Sequence, residues 1–238
     1  MRYTRNPIEE NNYKRRAVKW IYNIVPFVLL FLSWEILARL ISTSDFPTFS
    51  TIVANAFSAS LAYHLGTTLI FSFLGLTVIS IVGLPLGKLI QRSEKIKWTL
   101  NPFLWFLVFA IVIGYKIMEA RLIVLFGLSQ LTIFIQSILL PILIVALISG
   151  YGHRMIAIRI GFLLCLTLRI IGEMIFGVTT IGIGHQLSLH YHLHNTLMVY
   201  SIILLIGFAG LLIEEIIPKH AGNIIVDKLE KRLKPKLS

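Results

Sequence analysis

The chain has 238 residues, of which 56% are hydrophobic and only 14% charged, with a mean hydropathy of +0.82. A water-soluble domain is usually about 45–50% apolar and about 25% charged, so the apolar excess must face lipid or other membrane spans. The net charge of +11 does not point to nucleic acid, because the bases flank apolar runs and form no continuous stripe with aromatics; anionic headgroups of the bilayer are their expected partners.

Residues 1–20 form a basic segment with Arg2, Arg5, Lys14, Arg15, Arg16 and Lys19. The apolar run that follows is long enough for a whole span and has no small-x-small cleavage site after it, so a retained first helix is expected, not a signal peptide. A helix needs about 20 apolar residues to cross the hydrocarbon core. Six segments meet or approach that: Ile21–Ile41, Thr67–Ile90, Trp98–Ile117, Leu122–Ser149, Met155–Val178 and Leu197–Ile217. The fourth is too long for one upright helix, and Pro141 is its natural bend point. Between the first two, Thr51–Leu61 is expected as a short amphipathic helix. The fold class is therefore all-α, a polytopic membrane helix bundle of about six spans. The membrane domain covers 21–217 and a basic tail covers 218–238, with an interfacial helix over 224–237.

Lys and Arg collect in every second polar segment. Ser42–Gly66 and Gly177–Asn195 have none, whereas 88–97 holds Lys88, Arg92, Lys95 and Lys97, and the tail is basic again. Cytoplasmic loops carry this excess, so both termini are expected in the cytoplasm. The loop at Lys116–Arg121 is a mild exception, since it also carries Glu119.

Charged residues inside spans cost free energy unless they are satisfied. Glu35 and Arg39 lie one helical turn apart in the first span, and Arg169 and Glu173 repeat that spacing in the fifth, so each pair is able to neutralise itself. A structural ion pair is the plainer reading; a place on a solute path or at a subunit interface is the other, for which Arg159 is also a candidate. Gly83 and Gly87, in Gly83-Leu-Pro-Leu-Gly87, allow close helix approach. The segment after the fifth span holds His185, His190, His192 and His194. Alternation at 190, 192 and 194 would set three imidazoles on one side of an extended segment, and a helix would set His190 and His194 one turn apart; either is a weak Zn or Cu site with no Cys or carboxylate beside it. A solvated or interfacial loop is the preferred reading, with no metal and no other cofactor. The single Cys165 reads as a buried packing thiol. No phosphate-binding loop of the G-x-x-x-x-G-K-[ST] kind, no G-x-S-x-G and no H-E-x-x-H is present, so an enzyme is not expected.

Several pieces stand in a shared order: Trp34-Glu35 and Phe46-Pro47; Thr67-Thr68-Leu69, Gly75 and Gly83–Gly87; Gln91-Arg92-Ser93 and Asn101-Pro102; Phe126-Gly127; then Arg159, Glu173-Met174, Gly182-Ile-Gly184 and Val199-Tyr200. In that order and spacing the chain resembles the inner-membrane permease subunits of bacterial ABC importers, the nitrate/sulfonate/taurine group in particular. The resemblance implies a type I permease fold in the bacterial plasma (inner) membrane. It also implies a second permease subunit, a separate ATP-binding subunit, an extracytoplasmic binding protein, and a small anionic or zwitterionic solute. It makes Gly182 and Gly184 packing glycines beside Gly83 and Gly87.

One departure is large. Such permeases carry a Glu-Ala-Ala…Gly coupling segment between the fourth and fifth spans, which docks into the ATPase. Here only Tyr151, Gly152, His153 and Arg154 lie between the two spans, too few for a docking helix. A substitute, Glu119-Ala120 with Leu140-Pro141 downstream, falls on the outer side of the expected topology. The alternative reading is a degenerate, non-coupling membrane partner that keeps the permease fold.

Overall fold

The computed structural model describes residues 25–43, 45–127, 129–176 and 181–221. The basic N-terminal segment 1–20 and the expected interfacial helix at 224–237 lie outside them. The described residues contain helices and turns and no strand. In chain order the helices are α1 (residues 25–41), α2 (Phe49–Ala56), α3 (Ala59–Gln91), α4 (Glu94–Ile113), α5 (Tyr115–Phe126), α6 (Gln130–Gly150), α7 (Arg154–Phe176), α8 (Ile183–His192) and α9 (Thr196–Ala221).

Four of these, α3, α4, α6 and α7, are long and apolar enough to cross a membrane; α9 has a shorter apolar stretch over Thr196–Leu212. The chain is an all-α, multi-pass membrane bundle. Its spine is α3, whose 33 residues rise about 50 Å, well beyond the roughly 30 Å hydrocarbon core. Three apolar clusters run along it. Ala56, Leu61, Phe162, Ile183 and Ile202 join α2, α3, α7, α8 and α9 at one end. Ile79, Ile138, Val145 and Cys165 join α3, α6 and α7 in the middle. Ile90, Leu104, Val108 and Leu147 join α3, α4 and α6 at the other end.

Several expected boundaries move, each for a local reason. The second long helix starts at Ala59 and not at Thr67, because Ser58 is extended and its hydroxyl accepts from the Leu61 amide at 3.5 Å. The expected amphipathic helix at Thr51–Leu61 is therefore α2 plus the first turn of α3. The run Trp98–Ile117 ends at Ile113, where Gly114 takes a turn conformation. The run Leu122–Ser149 is not one bent helix. It breaks at Gly127, whose φ of +70° suits glycine and ends α5. The next helix, α6, is opened by Ser129, which accepts from the Thr132 amide at 3.4 Å. Pro141 lies buried within an uninterrupted α6. The expected short loop at Lys116–Arg121 is part of α5, so Glu119-Ala120 stand on α5 and Leu140-Pro141 on α6, with the break at Gly127 between them. The His-rich segment is helical through His192, not extended.

Small residues set the spacing between α3 and its neighbours. A methyl group on Gly75 would sit 2.6 Å from Cys165 Sγ, one on Gly83 2.9 Å from Val145, and one on Gly87 2.8 Å from the Ala146 carbonyl oxygen. These positions share one face of α3, the usual device for bringing membrane helices together where no hydrophobic force separates helix from lipid.

Candidate functional site

The polar core of the bundle is built on α7. Arg169 and Glu173 are both fully buried, and Arg169 Nε donates to Glu173 Oε1 at 2.9 Å. The pair is neutral as a whole, which is what a low-dielectric interior demands. Glu173 has further donors. The Thr68 hydroxyl of α3 lies 2.8 Å from Oε2 and 3.1 Å from Oε1, and the Gly184 amide donates to Oε2 at 3.1 Å. Thr68 in turn accepts from the Ile183 amide at 3.0 Å, and the Gly182 amide donates to His64 Nδ1 at 3.2 Å.

Those three amides open α8. The first amides of a helix have no intrahelical acceptor, and α8 has no acidic residue in its first turn and no side-chain cap from Gly182. Its capping comes instead from α3 and α7. The approach is possible only because of two glycines. A Cβ on Gly182, whose φ is +141°, would lie 2.5 Å from Glu173 Cδ, and one on Gly184 would lie 2.2 Å from the Ile170 carbonyl oxygen.

The cation is held on its other side by α6 and α3. Arg169 Nη2 donates to Gln130 Oε1, Gln130 Nε2 donates to the Ile181 carbonyl at 3.2 Å, and the guanidinium carbon stands 4.3 Å from the Phe71 ring centroid, a cation–π arrangement. Arg169 Nη1 and both amide atoms of Gln136 are buried without a hydrogen-bond partner among the described residues. Both carboxylate oxygens of Glu173 are occupied, so the cluster is an anchor tying α3, α6, α7 and α8 together; it offers no free base or nucleophile. Sequence reasoning did not single out Thr68, His64, Gln130 or Gln136 as site residues. The signal available for the glutamines was an amide inside an otherwise apolar run.

The first charged pair uses the same chemistry at the surface. Arg39 Nη2 lies 2.7 Å from Glu35 Oε1, with Arg39 largely exposed. Glu35 also accepts from the Ser50 amide at 3.0 Å and the Ser50 hydroxyl at 3.2 Å, and Ser50 is the second residue of α2. Trp34 fixes the same junction by donating to the Pro47 carbonyl at 3.1 Å and stacking on Phe46. Arg159 is half-buried on α7 and takes no part in either cluster; its Nε has no hydrogen-bond partner among the described residues.

The histidines do not converge. His190 and His192 close α8, His194 takes a positive φ of 53° in the following turn, and no group of three or more His, Cys, Asp or Glu among the described residues is placed to hold a metal ion. At the opposite end of the bundle, the connection between α6 and α7 is a tight turn at residues 151–153, with Gly152 at φ +90° and Arg154 already in α7. Tyr151 is clamped there by Asn101, which donates to its hydroxyl at 2.9 Å, and by Lys97, whose ammonium stands 5.0 Å from the ring centroid.

Comparison with known proteins finds no relative: no family model, no curated protein and no solved structure matches the chain.

Proposed function

We propose that the chain is a transmembrane permease-type subunit of an ABC importer for a small anionic or zwitterionic solute. It forms the translocation path with a second permease subunit and relies on a separate ATPase and an external binding protein. In this reading α1 and α9 cross the membrane with α3, α4, α6 and α7. Both termini then lie in the cytoplasm of a bacterial cell, with α2 and α8 on the outer face. The observation that supports it best is convergence. Thr68, Glu173, Gly182 and Gly184 carry the resemblance to those permeases from distant parts of the chain, and they meet in one hydrogen-bonded knot. Gly75, Gly83 and Gly87, from the same resemblance, line the close contact of α3 with α6 and α7.

The turn at 151–153 favours a specific form of this function. An ATPase groove needs a protruding element to grip, and a three-residue turn held against α4 offers none. The subunit therefore works beside a second permease that carries the coupling helix; without such a partner it is a non-coupling scaffold. The test is reconstitution in proteoliposomes with the ATPase and binding protein, as a homodimer and as a heterodimer with a permease bearing the full coupling segment. Solute-dependent ATP hydrolysis is expected in the heterodimer alone. Turnover by the homodimer would refute the reading of the short turn, and no uptake in any combination would refute transport.

A further inference from the structure

At the end of the bundle away from α2 and α8, the α3–α4 turn and the α6–α7 turn enclose an open cleft of about 350 Å³. Its polar lining is Gln91, Ser93, Glu94, Lys97 and Tyr151, with the Gly150 backbone at its floor. The walls are tied together: Gln91 Nε2 donates to the Ser149 carbonyl, and Tyr151 is clamped by Asn101 and Lys97. The cleft is thus preformed, and a ligand need not order it.

Within the cleft Lys97 faces a single acid, Glu94, and the segment around it is basic on balance. Residues 88–97 hold Lys88, Arg92, Lys95 and Lys97 against the single carboxylate of Glu94. Lys97 makes no ion pair among the described residues and faces the cleft; Arg92 lies between two lining residues and is exposed. An anion is the complementary ligand. The surface beside the cleft says which kind. Two of the helices that meet there, α4 with 20 residues and α6 with 21, match the roughly 30 Å hydrocarbon core, so their ends put the cleft at its boundary. From there Trp98, Trp105 and Phe109, spaced i, i+7 and i+11, run along α4 as one exposed stripe, with Trp98 77% and Phe109 59% exposed. Such a stripe is made for acyl chains, and an exposed Trp at its head is usual at a bilayer interface.

We propose that this cleft binds the headgroup of an anionic phospholipid, with Lys97 inside and Arg92 at the rim as the cationic partners, and the acyl chains along the aromatic stripe of α4. Basic pockets between helices at a membrane face are suited to such headgroups. The inference needs only that the chain spans a membrane and does not rest on the transport reading.

The test titrates the purified full chain in mild detergent with phosphatidylglycerol, with phosphatidylcholine of the same acyl chains, and with glycerol 3-phosphate. Binding is read by native mass spectrometry and by melting temperature. Phosphatidylglycerol should bind at least about tenfold more tightly than phosphatidylcholine, and glycerol 3-phosphate should not raise the melting temperature. Lys97→Gln should weaken phosphatidylglycerol about fivefold, and Lys97→Gln with Arg92→Gln roughly thirtyfold, as expected for about one basic side chain's attraction each. Lys97→Arg should retain the affinity, and a melting temperature measured without lipid shows that each variant is folded; Arg92 is exposed and Lys97 half-buried. Equal affinity for the two lipids would overturn the proposal, as would binding of glycerol 3-phosphate at lipid-like strength. So would an unchanged affinity in the double variant, including the case where that variant loses only its hold on an ATPase subunit.

Discussion

Glu173 is the group whose loss the fold can least absorb, and the reason lies in what its carboxylate holds. It neutralises a fully buried guanidinium at 2.9 Å and caps α8 through Gly184 at 3.1 Å. Replacing Glu173 by Gln keeps an acceptor for Gly184 and Thr68 but leaves Arg169 charged in a site with no solvent; breaking a buried pair this way costs about 3–5 kcal/mol. Replacing Arg169 by Met strands the carboxylate and should cost a similar amount. The double variant Arg169→Met/Glu173→Gln buries no charge and keeps the amide bond to α8. Its cost is then that of an imperfect fit and the loss of the Gln130 contact, about 1–2 kcal/mol. The double variant should therefore be more stable than either single variant, a coupling of several kcal/mol that additivity does not allow. Equilibrium unfolding in detergent–SDS mixtures measures the three losses, with thermal melting as a check. A double-variant loss equal to the sum of the single losses would refute the claim that these two residues stabilise each other.

Two further outcomes follow from the packing and the charge pattern. Gly87→Ala forces a methyl group to 2.8 Å from the Ala146 carbonyl oxygen, an atom of the α6 backbone, and should destabilise by about 1–3 kcal/mol. Gly207→Ala on α9, with open space around it, should be neutral or stabilising by up to about 1 kcal/mol; similar losses for both would show that α3–α6 contact is not the cause. For orientation, Leu193→Cys in the α8–α9 turn should react with an impermeant maleimide on intact cells, whereas Arg92→Cys should react only after permeabilisation. The native Cys165 is fully buried and leaves little background; the reverse labelling pattern would invert the proposed topology.

Much of the architecture was legible in the sequence, because a membrane core writes itself as runs of apolar residues. What hydropathy does not record is where a helix stops inside such a run. Gly127 has Phe126 before it and an apolar stretch shortly after it, so the break is invisible to an average, yet a φ of +70° ends the helix. Pro141 was the more conspicuous breaker and breaks nothing. The opposite error befell α3, whose first eight residues include Ser60, His64 and Gly66 and so look like loop. They are helical because Ser58 caps them and because Leu61 is buried in the cluster that holds Phe162 of α7 and Ile183 of α8.

The site was half legible for a related reason. An Arg and a Glu one turn apart announce an ion pair, but not what else the carboxylate holds, since Thr68 lies 105 residues from Glu173. The two charged pairs make the missing rule visible. Each belongs to a long helix that is followed by a short one, α1 by α2 and α7 by α8. Neither short helix has an acidic residue in its first turn or a side-chain cap of its own. In each case the Glu of the preceding long helix accepts from the second residue of the short one, Ser50 or Gly184. Where a helix starts buried within the bundle, as α8 does, water is a poor source of acceptors for its first amides; at either start a carboxylate is favoured by the helix dipole. A lone carboxylate would be costly in that setting, and an Arg one turn away offsets its charge. The acid–base pairs inside these apolar helices are thus accounted for by the helix starts that they cap.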